Sequence, residues 1–242
     1  MGQSHMIRLN VFESFPAHQY FEIIRDPYLK IIYAQFAEDA LVADILFYDI
    51  QRPHGGFYVD VGAFHPRRQS NTQLLRHMSW RGMNIDANVD VINLFNQDRP
   101  DDINICTGVG PTEGELVYHM FDSTGMNTLS PETAEEWTRM GRKKTGTRVV
   151  PVKTINQILD ENLPSGQSID YMNIDLEGFD RAVVASLDLD RYRPSVISIE
   201  IHDIDILNLG NDPTVARLTQ YGYKLAAIAR VTYIFALKKQ AA

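Results

Sequence analysis

At 242 residues with 44% hydrophobic content, the chain is long enough to bury the core of one domain, and it carries no internal repeat or low-complexity run. The net charge of -8 argues against a broad phosphate-binding face, and so against nucleic acid as a partner. A single cysteine, Cys106, excludes an internal disulfide, and no stretch has the apolar length of a signal peptide or a membrane span, which together predict a cytoplasmic protein.

In chain order, the opening "MGQSHM" reads as a cloning remnant, residues 1–5, ahead of a start at Met6. Residues 6–54 are expected to form an N-terminal helical segment and residues 55–242 the main domain. From Asp39 to Ile50 the apolar residues Leu41, Val42, Ile45, Leu46 and Tyr48 recur at helical spacing, with Asp39 placed to cap the helix, and "RPHGG" then breaks the pattern. Beyond it short apolar runs alternate with amphipathic stretches. Strands are expected at 57–61, 83–86 and 103–106, with helices at 70–79 and 89–97 between them. The pattern resumes with strand 148–152, helix 154–161, strand 169–174, helix 178–187, strand 195–201 and helix 213–221. Such alternation predicts an α/β fold with parallel strands joined by crossover helices. "YKLAAIAR" and "VTYIFALK" then follow with too little chain between them for a crossover, which predicts an antiparallel hairpin finishing a mostly parallel sheet.

Residues 121–148, "FDSTGMNTLSPETAEEWTRMGRKKTGTR", hold turn residues, one helix with a capping-box start at Ser130, and a basic run. The segment is too long for a minimal connection, so it is either a lid or substrate-facing insertion or a solvated excursion. Its basic stretch is either a solvated face or a contact for an anionic acceptor such as a uronic acid or a phosphorylated sugar.

In a doubly wound sheet, ligands bind beyond the carboxyl ends of the strands, which puts the turn after "FYVDV" at the binding edge. That turn has one glycine, Gly62, followed by Phe64, His65 and Pro66, whereas a dinucleotide site wants two further glycines for the pyrophosphate. Gly62 would let a nucleoside without a diphosphate approach the backbone; the alternative is an ordinary strand-to-helix turn. Asp86 closes the second strand a little over twenty residues after Gly62, where an acid can accept ribose hydroxyls. Asp60 and Asp86, bracketing a single-glycine turn, suit the cations and the ribose of S-adenosylmethionine, and "CTGVG" at 106–110 could lie beside the adenine.

At this point the chain resembles the FkbM-type methyltransferases. The similar blocks run in order: "YAQFAED" at 33–39, "GGFYVDVGAFHP" at 55–66, "SNT" at 70–72, "WRGMNIDAN" at 80–88, "RPDDINICTGVG" at 99–110, "NTLS" at 127–130, "VPVKTINQIL" at 150–159, "YMNIDLEGFD" at 171–180 and "RPSVISIEIHD" at 193–203. The resemblance implies a class I, Rossmann-like methyltransferase fold: a three-layer sandwich on a seven-stranded, mostly parallel sheet with an antiparallel C-terminal strand. It also implies S-adenosylmethionine as methyl donor and transfer to a hydroxyl, often on a sugar of a surface polysaccharide or of a glycosylated metabolite. The matching blocks place Gln35, Ala63, Asn71, Ala87, Thr107 and Gly108 with Asp60, Gly62 and Asp86 as the cofactor-binding set. Departures from the family pattern are Ala87 where a proline usually follows the acid, Ala34 and Ala37 in place of serine and glycine, and a 121–148 segment that matches only at "NTLS".

Methyl transfer from a sulfonium is an in-line displacement, and a sugar hydroxyl needs a general base or a metal ion to become a good nucleophile. Two strand ends offer the groups: Asp175 and Glu177 after "YMNI", and Glu200, His202 and Asp203 ending "SVISIEIHD". His202 is the expected base, because its unperturbed pKa lies near neutrality, against a structural histidine as the alternative. Asp175 and Glu200 are expected to orient the acceptor or to hold a divalent cation such as Mg2+, against capping and direct sugar binding. The rival classes are a nicotinamide-dependent oxidoreductase, disfavoured by the missing glycines, and a nonenzymatic nucleoside- or sugar-binding module.

Overall fold

The computed structural model describes residues 31–237, so the remnant expected at 1–5 and about half of the helical segment expected at 6–54 lie outside the described residues. Helix α1 (Glu38–Asp44) runs straight into a π-helical turn, Ile45–Asp49. Its N-cap is Ala37 in a left-handed conformation, not Asp39. The buried Asp39 carboxylate instead accepts the N–H groups of Tyr33 at 2.7 Å and Ala40 at 2.9 Å, folding the preceding "YAQFA" loop onto the helix start.

The chain then runs through β1 (Phe57–Val61), α2 (Gln73–His77), β2 (Arg81–Asp86), α3 (Val89–Asp98), β3 (Ile103–Cys106), β4 (Gly108–Val109) and β5 (Gly114–Phe121). After α4 (Pro131–Arg139) and β6 (Lys144–Lys153) come α5 (Ile155–Asn162), β7 (Tyr171–Ile174), α6 (Asp180–Ser186) and β8 (Val196–Glu200). Helix α7 (Pro213–Gln220), β9 (Tyr223–Ala229) and β10 (Thr232–Leu237) complete it. Seven strands form one sheet in the order β3-β2-β1-β7-β8-β10-β9. All neighbours from β3 to β8 are parallel, and β10 lies antiparallel between β8 and β9. This is the seven-stranded, mostly parallel sheet with an antiparallel C-terminal strand that the resemblance implies.

Strand alternation divides the core into two layers of side chains. Val59, Val61, Met83, Ile85, Met172, Ile174, Ile197 and Ile199 face α5, α6 and α7, which answer with Ile155, Ile158, Val183, Val184 and Leu218. Tyr58, Tyr171, Val196 and Ile234 face the other way, against Val42, Leu46, Leu75 and Trp80. Burying each such aliphatic side chain contributes roughly 1.5–3 kcal/mol before entropy is counted.

Two expectations need correction. The run at 148–152 belongs not to the parallel sheet but to β6, the centre of a second, three-stranded sheet ordered β4-β6-β5, where it pairs antiparallel with β5 and parallel with β4. Helix α2 occupies only Gln73–His77 of the expected 70–79, because Ser70 and Thr72 turn their hydroxyls to Arg99 and Asp60 rather than entering the helix.

Candidate active site

A cavity of about 580 Å³ opens at the carboxyl ends of the parallel strands. All four residues expected to carry the reaction, Asp175, Glu177, Glu200 and His202, line it. So do Gln35, Asp60, Gly62, Ala63, Asn71, Asp86, Ala87, Thr107 and Gly108, the set expected to hold the cofactor. Strands β2, β1, β7 and β8 are consecutive neighbours, which is why their ends converge on one space.

Beneath the cavity the register lines up a polar row across five strands, Asn104, Asn84, Asp60, Asn173 and Ser198. Asp60 is buried and both its oxygens are engaged, one by the Asn173 amide at 2.9 Å and the other by the Thr72 hydroxyl at 2.9 Å. Ser198 donates to Asn173 Oδ1 at 2.7 Å, and Asn71 Nδ2 reaches the same oxygen at 3.2 Å. Arg99, wholly buried, donates to Thr72 at 2.9 Å, Gln73 at 3.0 Å, Tyr58 at 3.1 Å, Ser70 at 3.2 Å and the Pro66 carbonyl. Burial pushes the Asp60 carboxyl above its ordinary range, while these donors and the Arg99 charge pull it back. Asp60 therefore shapes the floor and its potential rather than offering a free oxygen to a ligand.

Gly62 has φ of 84, and a Cβ there would meet the Asp175 carbonyl oxygen at 1.8 Å. Gly62 lines the cavity as expected, and glycine is required there for a second reason: it admits the neighbouring strand end. Asp86 is partly buried, with Oδ1 accepting the Asn88 N–H at 2.7 Å and Oδ2 the Phe64 N–H at 3.2 Å. Desolvation outweighs these bonds and pushes its carboxyl up to about 6.

Carboxylate oxygens of Asp175, Glu177 and Glu200 lie within 4.8 Å of one another, close enough for one divalent cation to bridge them. Glu177, at φ of 50, and Gly178, at φ of 117, make the tight turn out of β7, and Asp180 fixes it by accepting the N–H groups of Leu176 at 2.8 Å and Gly178 at 3.1 Å. Burial first, then repulsion from Glu200 and Asp180, pushes Glu177 up to about 8. Nε2 of His202 lies 3.2 Å from the buried Oε2 of Glu200. Hydrogen bonding to Glu200, with the attraction of its charge, raises His202 to about 9 against desolvation. The expectation of a near-neutral imidazole at this position is corrected accordingly.

From the 121–148 segment, Ser123, Met126, Asn127, Leu129, Trp137 and Arg142 reach the cavity. The segment is anchored where Thr128 donates to the Glu177 carbonyl at 2.7 Å, and Ser130 caps α4 by accepting the Thr133 N–H at 3.1 Å. Phe36, Asn173, Trp137 and Arg230 line the space without having been singled out by sequence. Asn173 had a local signal, since it precedes Asp175 as Asn84 precedes Asp86 and Ser198 precedes Glu200, always by two residues in an apolar run.

Among solved structures the chain is similar to a TehB-like SAM-dependent methyltransferase from Corynebacterium glutamicum, at 12% identity and a TM-score of 0.40, with 92% of this chain and 96% of that one covered. Curated proteins give no match. No helix of the described residues is long and apolar enough to cross a membrane. The model of the methyltransferase FkbM domain matches residues 60–225, from the acid beneath the cavity through the strand ends of Asp86, Asp175 and Glu200. With most of the sequence and nearly all of the cavity inside that match, the chain belongs to the FkbM methyltransferase family, whose methyl donor is S-adenosylmethionine.

Proposed function

We propose that the protein methylates a hydroxyl, on a sugar of a surface polysaccharide or of a glycosylated metabolite. The observation that carries this reading is that Asp86 and Glu200, at the ends of β2 and β8, line one cavity, so a ribose acceptor and a proton acceptor serve the same space. The donor set fits S-adenosylmethionine. Each Asp86 oxygen is oriented by a backbone N–H and keeps a lone pair for a ribose hydroxyl, and the acid-rich lining favours the donor's two cations. Bound S-adenosylmethionine supplies a methyl group with a sulfonium as leaving group. Gln35, Ala63, Asn71, Ala87, Thr107 and Gly108 complete the donor wall, with Asp60 and Gly62 setting its floor.

Glu200 is the proton acceptor in this reading, because its carboxylate lines the cavity at the end of β8 and its buried Oε2 meets only His202. His202, 3.2 Å away and itself raised to about 9, is the cationic neighbour of Glu200. Asp175 and Glu177 orient the acceptor. The same three acids form an all-oxygen set that suits magnesium, which would there acidify the hydroxyl. The test is transfer of label from methyl-tritiated S-adenosylmethionine to a panel of glycans, with EDTA and magnesium arms. Labelled sugar is expected. Binding of S-adenosylhomocysteine without label on any acceptor would favour a nonenzymatic module, and binding of NAD in its place an oxidoreductase.

A further inference from the structure

We propose that the acceptor sugar carries an anionic group, a carboxylate or a phosphate, and that Arg230 binds it; this rests on the sugar-hydroxyl reading above. Arg230 sits in the turn between β9 and β10 with its guanidinium 4.3 Å from the centroid of the Phe36 ring, and both residues line the cavity. The turn is docked on the reactive strand: Ile201 donates its N–H to the Val231 carbonyl at 2.8 Å, and Thr232 is the register partner of Glu200. Arg230 therefore stands next to the strand end that presents Glu200 and His202.

Its chemistry is out of place for a merely structural arginine. Five acids line the same cavity, Asp60, Asp86, Asp175, Glu177 and Glu200, yet Arg230 forms no ion pair with them or with any other described residue. Stacking on an aromatic ring fixes the guanidinium plane while leaving its N–H fork free. A fork held this way matches a carboxylate or phosphate bidentately. The backbone at Arg230 has φ of 54, the left-handed conformation that a two-residue hairpin turn takes at its first position. Arg142, likewise without an ion pair among the described residues, adds a second positive charge to the lining. An acceptor presenting its hydroxyl to Glu200 would set an anion on the neighbouring carbon substituents against Arg230.

The test titrates glucose, glucuronate and glucose 1-phosphate into protein saturated with S-adenosylhomocysteine, followed by NMR. At least one anionic sugar should bind roughly tenfold tighter than glucose, the worth of one charge-assisted hydrogen-bonded pair. Which anion is preferred separates carboxylate from phosphate. Arg230→Asn, a residue that tolerates a left-handed backbone, should erase the preference and leave S-adenosylhomocysteine affinity unchanged; Arg230→Lys should retain part of it. Equal binding of all three sugars by the wild type overturns the proposal. So does weakened S-adenosylhomocysteine binding in Arg230→Asn, which would assign the arginine to the donor's own carboxylate. Failure of the methyl-transfer reading shows separately, as absence of S-adenosylhomocysteine binding to the wild type.

Discussion

The Asp86 carboxylate accepts the backbone N–H of Phe64 at 3.2 Å, so the end of β2 is tied to the turn that leaves β1. The tie holds the carboxylate at the mouth of the donor wall, and burial raises it from its ordinary 3.8 to about 6. Ribose hydroxyls need the ionised form as acceptor. Affinity for S-adenosylhomocysteine should therefore be level well above pH 6 and weaken as pH falls through it, by up to tenfold per unit. Asp86→Asn should bind weakly at every pH with a flat profile. Calorimetry between pH 5 and 8 checks both, and a flat wild-type profile would remove Asp86 as the ribose acceptor.

Glu200→Gln keeps the shape of the strand end but replaces the proton-accepting oxygen. Turnover should fall on the order of a hundredfold or more, the usual worth of a general base, with donor affinity nearly unchanged. His202→Ala removes the nearby cation, and its loss of turnover should be smaller than that of Glu200→Gln. The reverse ranking in single-turnover assays would return the proton-accepting role to His202.

Gly62 is fixed by its own backbone and by its neighbour. Gly62→Ala pays for a left-handed conformation and collides with the Asp175 carbonyl, whose oxygen would lie 1.8 Å from the new Cβ. The expected loss is about 2–5 kcal/mol of stability, read by urea denaturation. Since the clash is with the protein and not with a ligand, saturating S-adenosylhomocysteine should not make the loss larger.

Strands 57–61 and 103–106 were legible because each is a bounded apolar run whose length suits a strand. The same kind of run at 148–152 misled, since an apolar segment says nothing of which sheet it joins. Its partner β5, "GELVYHMF", is interrupted by Glu115 and His119 and mostly exposed or half-buried, which hides it from periodicity. The acids of the site were readable as polar residues ending apolar strands. Arg99 was not, because "RPDD" looks like a solvated turn and only the tertiary fold closes the shell of acceptors around it. Arg230 was hidden for a similar reason: its meaning depends on Phe36, nearly two hundred residues earlier in the chain.

Arg99 supports the cavity from below without lining it. Its guanidinium donates to Pro66, Ser70 and Gln73 from one terminal nitrogen and to Tyr58, Thr72 and Asn84 from the other, and Thr72 passes the connection to Asp60. Arg99→Ala would strand these acceptors and leave the buried Asp60 carboxylate without its cation, a change expected to cost about 3–5 kcal/mol. Arg99→Lys restores the charge but not the fork and should recover part of the loss. The penalty should also depend on pH. Burial already holds Asp60 above its ordinary range, and Arg99 is among the groups that pull it back, so the variant's Asp60 should bind a proton more readily than the wild type's. Protonation relieves the uncompensated charge, and the stability difference between variant and wild type should narrow as pH falls. Denaturant titrations of the wild type and Arg99→Ala at pH 5, 6 and 7.5 read this directly. A penalty that stays constant or widens toward acid would show that Arg99 stabilises the turn through its hydrogen bonds alone, with no electrostatic link to Asp60.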